Sequence, residues 1–519
     1  MAITTTKNRS HNVVRKPNLP FASAVAVAVI LAAPAAQAAE WLIVPTLTVR
    51  GTYSDNIRLA GRGLEESDFV TEVSPGLNIS GTGPNLKLNA RYTFQQLNYA
   101  RDSKGDSSFH RLDGAAQVHL LKDLLSVDGT ASINQQDVDL FGASTLTSSN
   151  YNVNPNRTTV RTATVSPYLH HTFRGVAVGE LRYTKTHVST SSQALSSSDI
   201  DAVTLSVGSD LSSARTLAWG LRHDARRTDR AGTSSVDTKT STADLRYMLT
   251  PQFSLTASGG YEDFDYVVAP GEAEPRGTFY SGGFAWRPTE RTSLAWNVGK
   301  HFYGTTFALN STVRSRHTLW QVVYDESVTN TPAQIALNST SSTAEFLNQL
   351  FQTSIPDPAL RQLAVDRFIA ANGLPSSLTR TINYLTTQFF LQKSLRASAA
   401  FTGAKNSVLF TLTNSVRSPQ SVDTGAVNLG DTRQLGASAL WNWRFSGRTS
   451  ANFSADQIRK KLQTTGAQER LTTYRIGLAH QFQPKLHGVL ELRHAVTASD
   501  TGFNAYQENA ITAFVSMQF

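Results

Sequence analysis

"ITAFVSMQF", residues 511–519, sets Ile511, Ala513, Val515, Met517 and Phe519 on one side of a two-residue beat. Side chains of a strand alternate between its faces, so these five share one apolar face that runs to the last residue. Terminal residues ordinarily fray into water, and a soluble strand gains little by ending on an aromatic ring. The stretch reads as a strand whose apolar face looks at lipid while the Phe519 carboxylate stays wet at a membrane rim.

Composition agrees with this reading. The chain has 519 residues, 40% hydrophobic and 17% charged, with no cysteine. Soluble globular chains carry roughly 25% charged residues. Yet beyond the N-terminal segment no run approaches the ~18 continuous apolar residues of a membrane helix. At the N-terminus, Lys7, Arg9, Arg15 and Lys16 precede the apolar run at 21–33 and the small residues Ala36-Gln37-Ala38. That order predicts a signal peptide over 1–38 and an exported chain. Removing those four cations and no anion leaves +5 of the formal +9, too little to suggest a nucleic-acid partner in an exported protein.

The beat of the last strand recurs throughout residues 39–519. Leu86, Leu88, Ala90, Tyr92 and Phe94 alternate with Lys87, Asn89 and Arg91, and Leu125, Val127 and Ile133 alternate with Ser126, Asp128 and Ser132. Short connectors such as 122–123, 174–175 and 483–485 alternate with long polar ones such as 54–68, 135–157 and 264–275. Short turns on one rim and long loops on the other are the arrangement of outer-membrane barrels. The fold expected is all-β, a transmembrane antiparallel up-and-down barrel of about 22 strands (about 18 to 24). Its last strand should pair with the first, near 44–53, because an open sheet edge is not tolerated in hydrocarbon. Val515, Met517 and Phe519 then resemble the aromatic-ended signal strand read by the barrel-assembly machinery, and lipid is the first partner. Trp41, Tyr53, Tyr92, Tyr183, Trp286, Trp296, Tyr474 and Phe519 are candidates for the interfacial girdles.

One stretch, 326–380, breaks the beat. Ser342 and Glu345 have capping-box spacing, Phe346, Leu347, Leu350 and Phe351 share a helical face, and Asp357-Pro358 opens a second segment that Gly373 ends. Two short amphipathic helices are expected between strands. A chain break near Arg314–His317 would put this insertion on the outer side, as a folded cap on a loop or as a plug over the lumen.

The polar face of each strand would line the lumen. Arg50, Arg91, Arg161, Arg182, Arg222, Arg246, Arg475 and Arg493 are assigned there by parity, with Glu72, Asp113, Asp128, Glu180, Asp201, Asp244 and Glu491. Such charges either brace one another in a wet interior or filter solutes, and an excess of arginine at a constriction would favour anions. No catalytic or cofactor residues are nominated: HExxH, GxSxG, phosphate-loop and EF-hand patterns are lacking in the sequence. Nor is a metal site, since His170 and His171 alternate across a strand and a cysteine site is impossible.

Several phrases resemble, in order, a family of outer-membrane proteins associated with the PEP-CTERM/exosortase exopolysaccharide system. They include "WLIVPTLTVRGTYSDNIRLA" with Pro45, Tyr53, Asp55 and Asn56, then "DFVTEVSPGLNISGTGPNLKLNARYTFQQLNY" with Pro75 and Gly76. "TVSPYLHHTF", "FAWRPTERTSL" and "RSRHTLWQVVYDESVTNT" follow. The resemblance implies a Gram-negative outer-membrane location and a role beside exopolysaccharide production and protein sorting, with exopolysaccharide or its export components as partners. The function expected is porin-like or export transport. A non-conducting structural or glycan-binding surface barrel is the alternative, and a barrel hydrolase using Ser and His is a third.

Overall fold

Residue pairing, rather than a central core, organises this molecule. The computed structural model describes residues 39–519 apart from 103–104, 146–149, 192–196, 211–215, 231–234, 272–273, 337–346, 349–360, 362–364, 366–385, 387, 423–429 and 501–503. The expected signal peptide therefore lies outside the described residues.

The chain runs up and down through β1 (Glu40–Ser54), β2 (Asp68–Thr82), β3 (Leu86–Tyr99), β4 (Ser107–Leu121), β5 (Leu125–Asp137), β6 (Arg157–Phe173), β7 (Ala177–Thr190) and β8 (Ser198–Ser209). It continues through β9 (Leu217–Arg230), β10 (Val236–Thr250), β11 (Phe253–Phe264), β12 (Arg276–Thr289), β13 (Thr292–His301), β14 (Gly304–Arg314) and β15 (Thr318–Thr329). After a helix, α1 (Thr331–Ala336), come β16 (Phe390–Thr402), β17 (Asn406–Pro419), β18 (Thr432–Arg444), β19 (Thr449–Leu462), β20 (Gln468–Gln483), β21 (Leu486–Ser499) and β22 (Tyr506–Gln518). All belong to one 22-stranded antiparallel sheet. The ring closes where Thr46–Ser54 of β1 pairs with Ala510–Gln518 of β22, as the terminal strand predicts.

The two faces are inverted relative to a soluble sheet. Ile511, facing outward, is 51% exposed, whereas its inward neighbour across the pleat, Thr512, is 5% exposed and Glu508 is 0%. Apolar side chains on the outside face hydrocarbon, and polar ones inside satisfy one another or water. The eight girdle candidates are all exposed on the outer surface.

The turn at 315–317 separates β14 from β15, so the connector 330–389 leaves from the rim of long loops, as expected. Its start is corrected: residues 326–329 belong to β15, because Ser327 and Thr329 continue the register against Gln392 and Phe390. Of the two expected helices, Leu347, Asn348, Arg361 and Val365 are described and are helical; the rest lies outside the described residues.

Candidate functional site: the lumen and its long-loop mouth

Register places Arg50, Arg91, Arg182, Arg222, Arg246, Arg475, Arg493, Glu180 and Glu491 on the lumen face. Arg182 donates to Glu180 and to Asp128, each at 2.8 Å, and its guanidinium lies 3.9 Å from the centroid of Tyr168. Arg222 meets Asp224 at 2.5 Å. Arg50 approaches Glu72 at 3.7 Å and covers the Phe514 ring. Arginine and carboxylate are thus interleaved along the wall.

Two residues assigned to the lumen by parity face outward instead. Arg161 pairs with Ile133, which pairs with Leu112 on the lipid face. Asp201 sits opposite Lys185 and accepts from its ammonium at 3.1 Å outside the barrel. The cause at Arg161 is specific. Its neighbour Val160 is an apolar residue that faces in, where it packs with Val188 against Ile335 of α1. The ordinary link between apolar and outward fails where the lumen holds an apolar patch of its own.

Along each strand the lumen changes character. Toward the short turns Arg91, Asp113, Arg222, Asp244 and Arg246 are exposed, so the interior there is wet. Toward the long loops it is filled, in two different ways.

The first filling is the connector 138–156. Its described residues, 138–145 and 150–156, lie inward from β5 and β6, and 150–153 reach the wall at β1, β3, β21 and β22. Asn152 donates to Glu508 at 2.8 Å, and Glu508 also pairs with Arg493 and accepts from Ser54 at 2.6 Å. Arg493 lies beneath the Tyr151 ring, and burial lifts the Tyr151 phenol well above its ordinary pKa range. Asn150 donates to Gln95, the Tyr99 hydroxyl donates to the Tyr151 carbonyl, and the Val153 amide donates to the Ile57 carbonyl. Close by, Lys460 and Glu469 form a buried pair at 2.7 Å. Buried charges are costly unless paired and hydrogen-bonded, and this seat supplies both.

The second filling is made by the wall itself. A round barrel of 22 strands would measure about 40 Å across at the usual strand spacing and tilt. α1 has six residues, roughly 9 Å of helix. Yet α1 touches both sides. Gln334 bonds to Gln392 of β16 and accepts from Arg417 of β17, while Ile335 packs on Val160 of β6 and Val188 of β7. The ends of β15–β17 must therefore lean inward until one helix spans the gap. Val328, at an outward position of β15, accordingly packs with Phe389 and Tyr266 against the inner-face residues Val236 and Phe264. Phe389 and Tyr266 stack with centroids 4.9 Å apart.

Two serine–histidine pairs bear on the hydrolase alternative. His223 and Ser241 meet at 2.8 Å on the outer surface, and His119 and Ser126 at 2.8 Å inside. Among the described residues no carboxylate orients either imidazole, which nucleophile activation requires. His170 and His171 fall on opposite faces, as the alternation predicts.

No family model matches the chain, and no curated protein matches it. Solved structures do. The siderophore receptor PirA from Pseudomonas aeruginosa is 10% identical over 92% of this chain and 80% of its own, with a TM-score of 0.45. The FrpB iron transporter from Neisseria meningitidis is 9% identical over 92% and 82%, with a TM-score of 0.48. Pseudomonas aeruginosa OpdK, solved with vanillate, is 7% identical over 92% and 99%, with a TM-score of 0.33. The chain is an outer-membrane-type β-barrel. That rests on the closed register and the inverted faces, and the neighbours' ligands are not carried over.

Residue parity did not single out the seat at Glu508, Lys460 and Glu469, nor the connector residues Tyr151 and Asn152. One signal was legible: "YNVNPN" (151–156) is an asparagine-rich loop with no charge, the composition of a segment that hydrogen-bonds inward.

Proposed function

We propose that the chain is a passage through the outer membrane, closed at its outer mouth in the state seen, that serves export in an exopolysaccharide-producing system. The observation that carries it is the contrast along the lumen. A wet, charge-interleaved wall opens toward the short turns, and the same interior is shut toward the long loops by α1 and the inward-leaning strands. A polar solute can enter such a vestibule, and only the mouth stands in its way. The link to exopolysaccharide and PEP-CTERM sorting is supported by the ordered phrases that resemble that family; in this reading the long loops lie outside and the short turns in the periplasm, as in outer-membrane barrels generally.

Planar-bilayer recording of the refolded chain tests the passage. The native form should be mostly closed. Ile335→Asp, which sets a charge against Val160 and Val188, should raise the mean current at least tenfold. A folded chain that stays silent in both forms ends this reading. In cells lacking the chain, polysaccharide should accumulate in the periplasm; normal secretion would remove the export role while leaving the passage.

A second reading, a non-conducting glycan-binding barrel, is favoured by the firm seating of 138–156. Glycan binding that disappears when this connector is shortened, in a barrel that never conducts, would select it.

A further inference from the structure

The ring of strands has one seam that is not zipped along its length. β14 and β15 pair from Leu309–Tyr324 to Arg314–Leu319 and no further. Continuing the register would match Ala308 with Asp325 and Gly304 with Thr329, yet Gly304–Ala308 pair with β13 alone and Asp325–Thr329 with β16 alone. The strands part because β14 stays in the wall while β15 follows α1 into the lumen. Glu326, at an outward position, is accordingly shielded, its side chain 2% exposed.

Rings stand where the backbone ladder stops. Phe302 and Tyr303, in the β13–β14 turn, are 4.9 Å apart. Phe302 meets Phe264 at 5.5 Å, and Phe264 leads through Tyr266 to Phe389 at the start of β16. Phe279 lies over Gly260, where any side chain would collide with it, and stacks on His301, which stacks on Tyr303. Backbone hydrogen bonds in hydrocarbon hold a wall shut because breaking each costs several kcal/mol. Ring contacts carry no such penalty when they slide.

We propose that the outer part of the β14–β15 seam is a lateral portal between the lumen and the outer leaflet, stoppered by these aromatic side chains. Its occupant is an amphiphile whose acyl part stays in lipid and whose polar head enters. Height and lining argue for this choice. Phe307 and Tyr280 are exposed on the outer surface beside the portal, with Lys300 facing outward between Tyr280 and Thr305, the ring-then-cation order of a membrane interface. Behind it, Thr306 faces the lumen near the His301–Glu262 pair, and the outward face of β15 and β16 presents the Glu326–Lys393 pair, a lining of mixed charge that suits a neutral sugar or zwitterionic head.

The chain has no cysteine, so introduced thiols report alone. Asn310–Val323 is a true rung, and Ala308–Asp325 falls two positions along and would share its pair type. Under mild oxidation of the refolded full chain, the N310C/V323C pair should cross-link at least tenfold faster than A308C/D325C. Equal rates would mean a zipped seam and overturn the proposal. In phosphatidylcholine liposomes containing a maleimide-headed phospholipid, T306C should be labelled while T242C, lumen-facing on β10, is not. Y303A should raise labelling of T306C severalfold, with heat-modifiable mobility on gels confirming the fold. Labelling that is equal at the two sites and indifferent to Y303A also overturns it. A barrel silent in bilayers yet labelled at 306 keeps the portal and loses the axial passage.

Discussion

The connector 138–156 and the inward-leaning ends of β15–β17 both fill the long-loop mouth, but their adhesives differ. The connector is held by charge and directed hydrogen bonds centred on Glu508 and Arg493, both under 6% exposed. The leaning strands are held mainly by the apolar contacts of Val160, Val188, Ile335, Phe389 and Tyr266, with Gln334 as a hydrogen-bonded link to Gln392 and Arg417. Directed bonds to buried charges have one satisfying geometry, and any shift strands a charge. Apolar contacts tolerate sliding, since their energy follows area rather than angle. The first filling is therefore built as a fixed plug and the second as a movable one.

The largest expected effect comes from breaking the charged seat. Glu508→Gln leaves Arg493 buried without its counter-charge, a loss of about 3–5 kcal/mol. Urea unfolding of the refolded barrel measures it; a change below about 1 kcal/mol would show that the seat is not held by charge. Next, Phe389→Ala removes the ring that links β16 to Tyr266, a local cost of about 3 kcal/mol. Here hydrogen exchange should quicken at the outer amides of β15 and β16 and leave 138–156 protected. Parallel loss of protection in both regions would erase the distinction. The smallest effect separates the arginines. Arg182→Gln should shift the reversal potential of the open form toward cations, and Arg161→Gln, outside the lumen, should leave it where it was.

Much of this fold is legible in the two-residue beat. The beat follows from alternation in a strand with lipid on one side and water on the other; Leu86–Phe94 shows it throughout, and Ile511–Phe519 shows it but for Phe514, whose ring faces in under Arg50. Closure follows too, because hydrocarbon forbids an edge. Arg161 shows where the logic fails. Its strand keeps the beat at Ala163, Val165 and Leu169 and reverses it at 157–161, where Val160 is apolar for a partner inside the lumen and local parity cannot tell lipid from the flank of α1. The unzipped seam leaves only a faint mark in the sequence, the carboxylate of Glu326 at an outward position where lipid would call for an apolar side chain. Its cause is a tertiary one, the pull of α1 across the mouth. Buried charges such as Lys460 and Glu469 were hidden because a lumen-facing Lys reads the same whether solvated or paired.

Glu508 also fixes an order of events. It lies on the last strand, accepts from Ser54 on the first, and receives Asn152 from the connector between the fifth and sixth. Its other partner, Arg493, comes from the strand before. The Arg493–Glu508 pair can form within the last hairpin, but Ser54 joins it only when the two ends of the chain have met. The connector's partners at Ile57, Gln95 and Tyr99 precede it in the chain, but Asn152 gains Glu508 only when the last strand arrives, so that one contact is a chronometer for closure. A barrel stalled before its final strand would leave Asn152 without Glu508, and faster protease cleavage within 138–156 would mark the unfinished molecules.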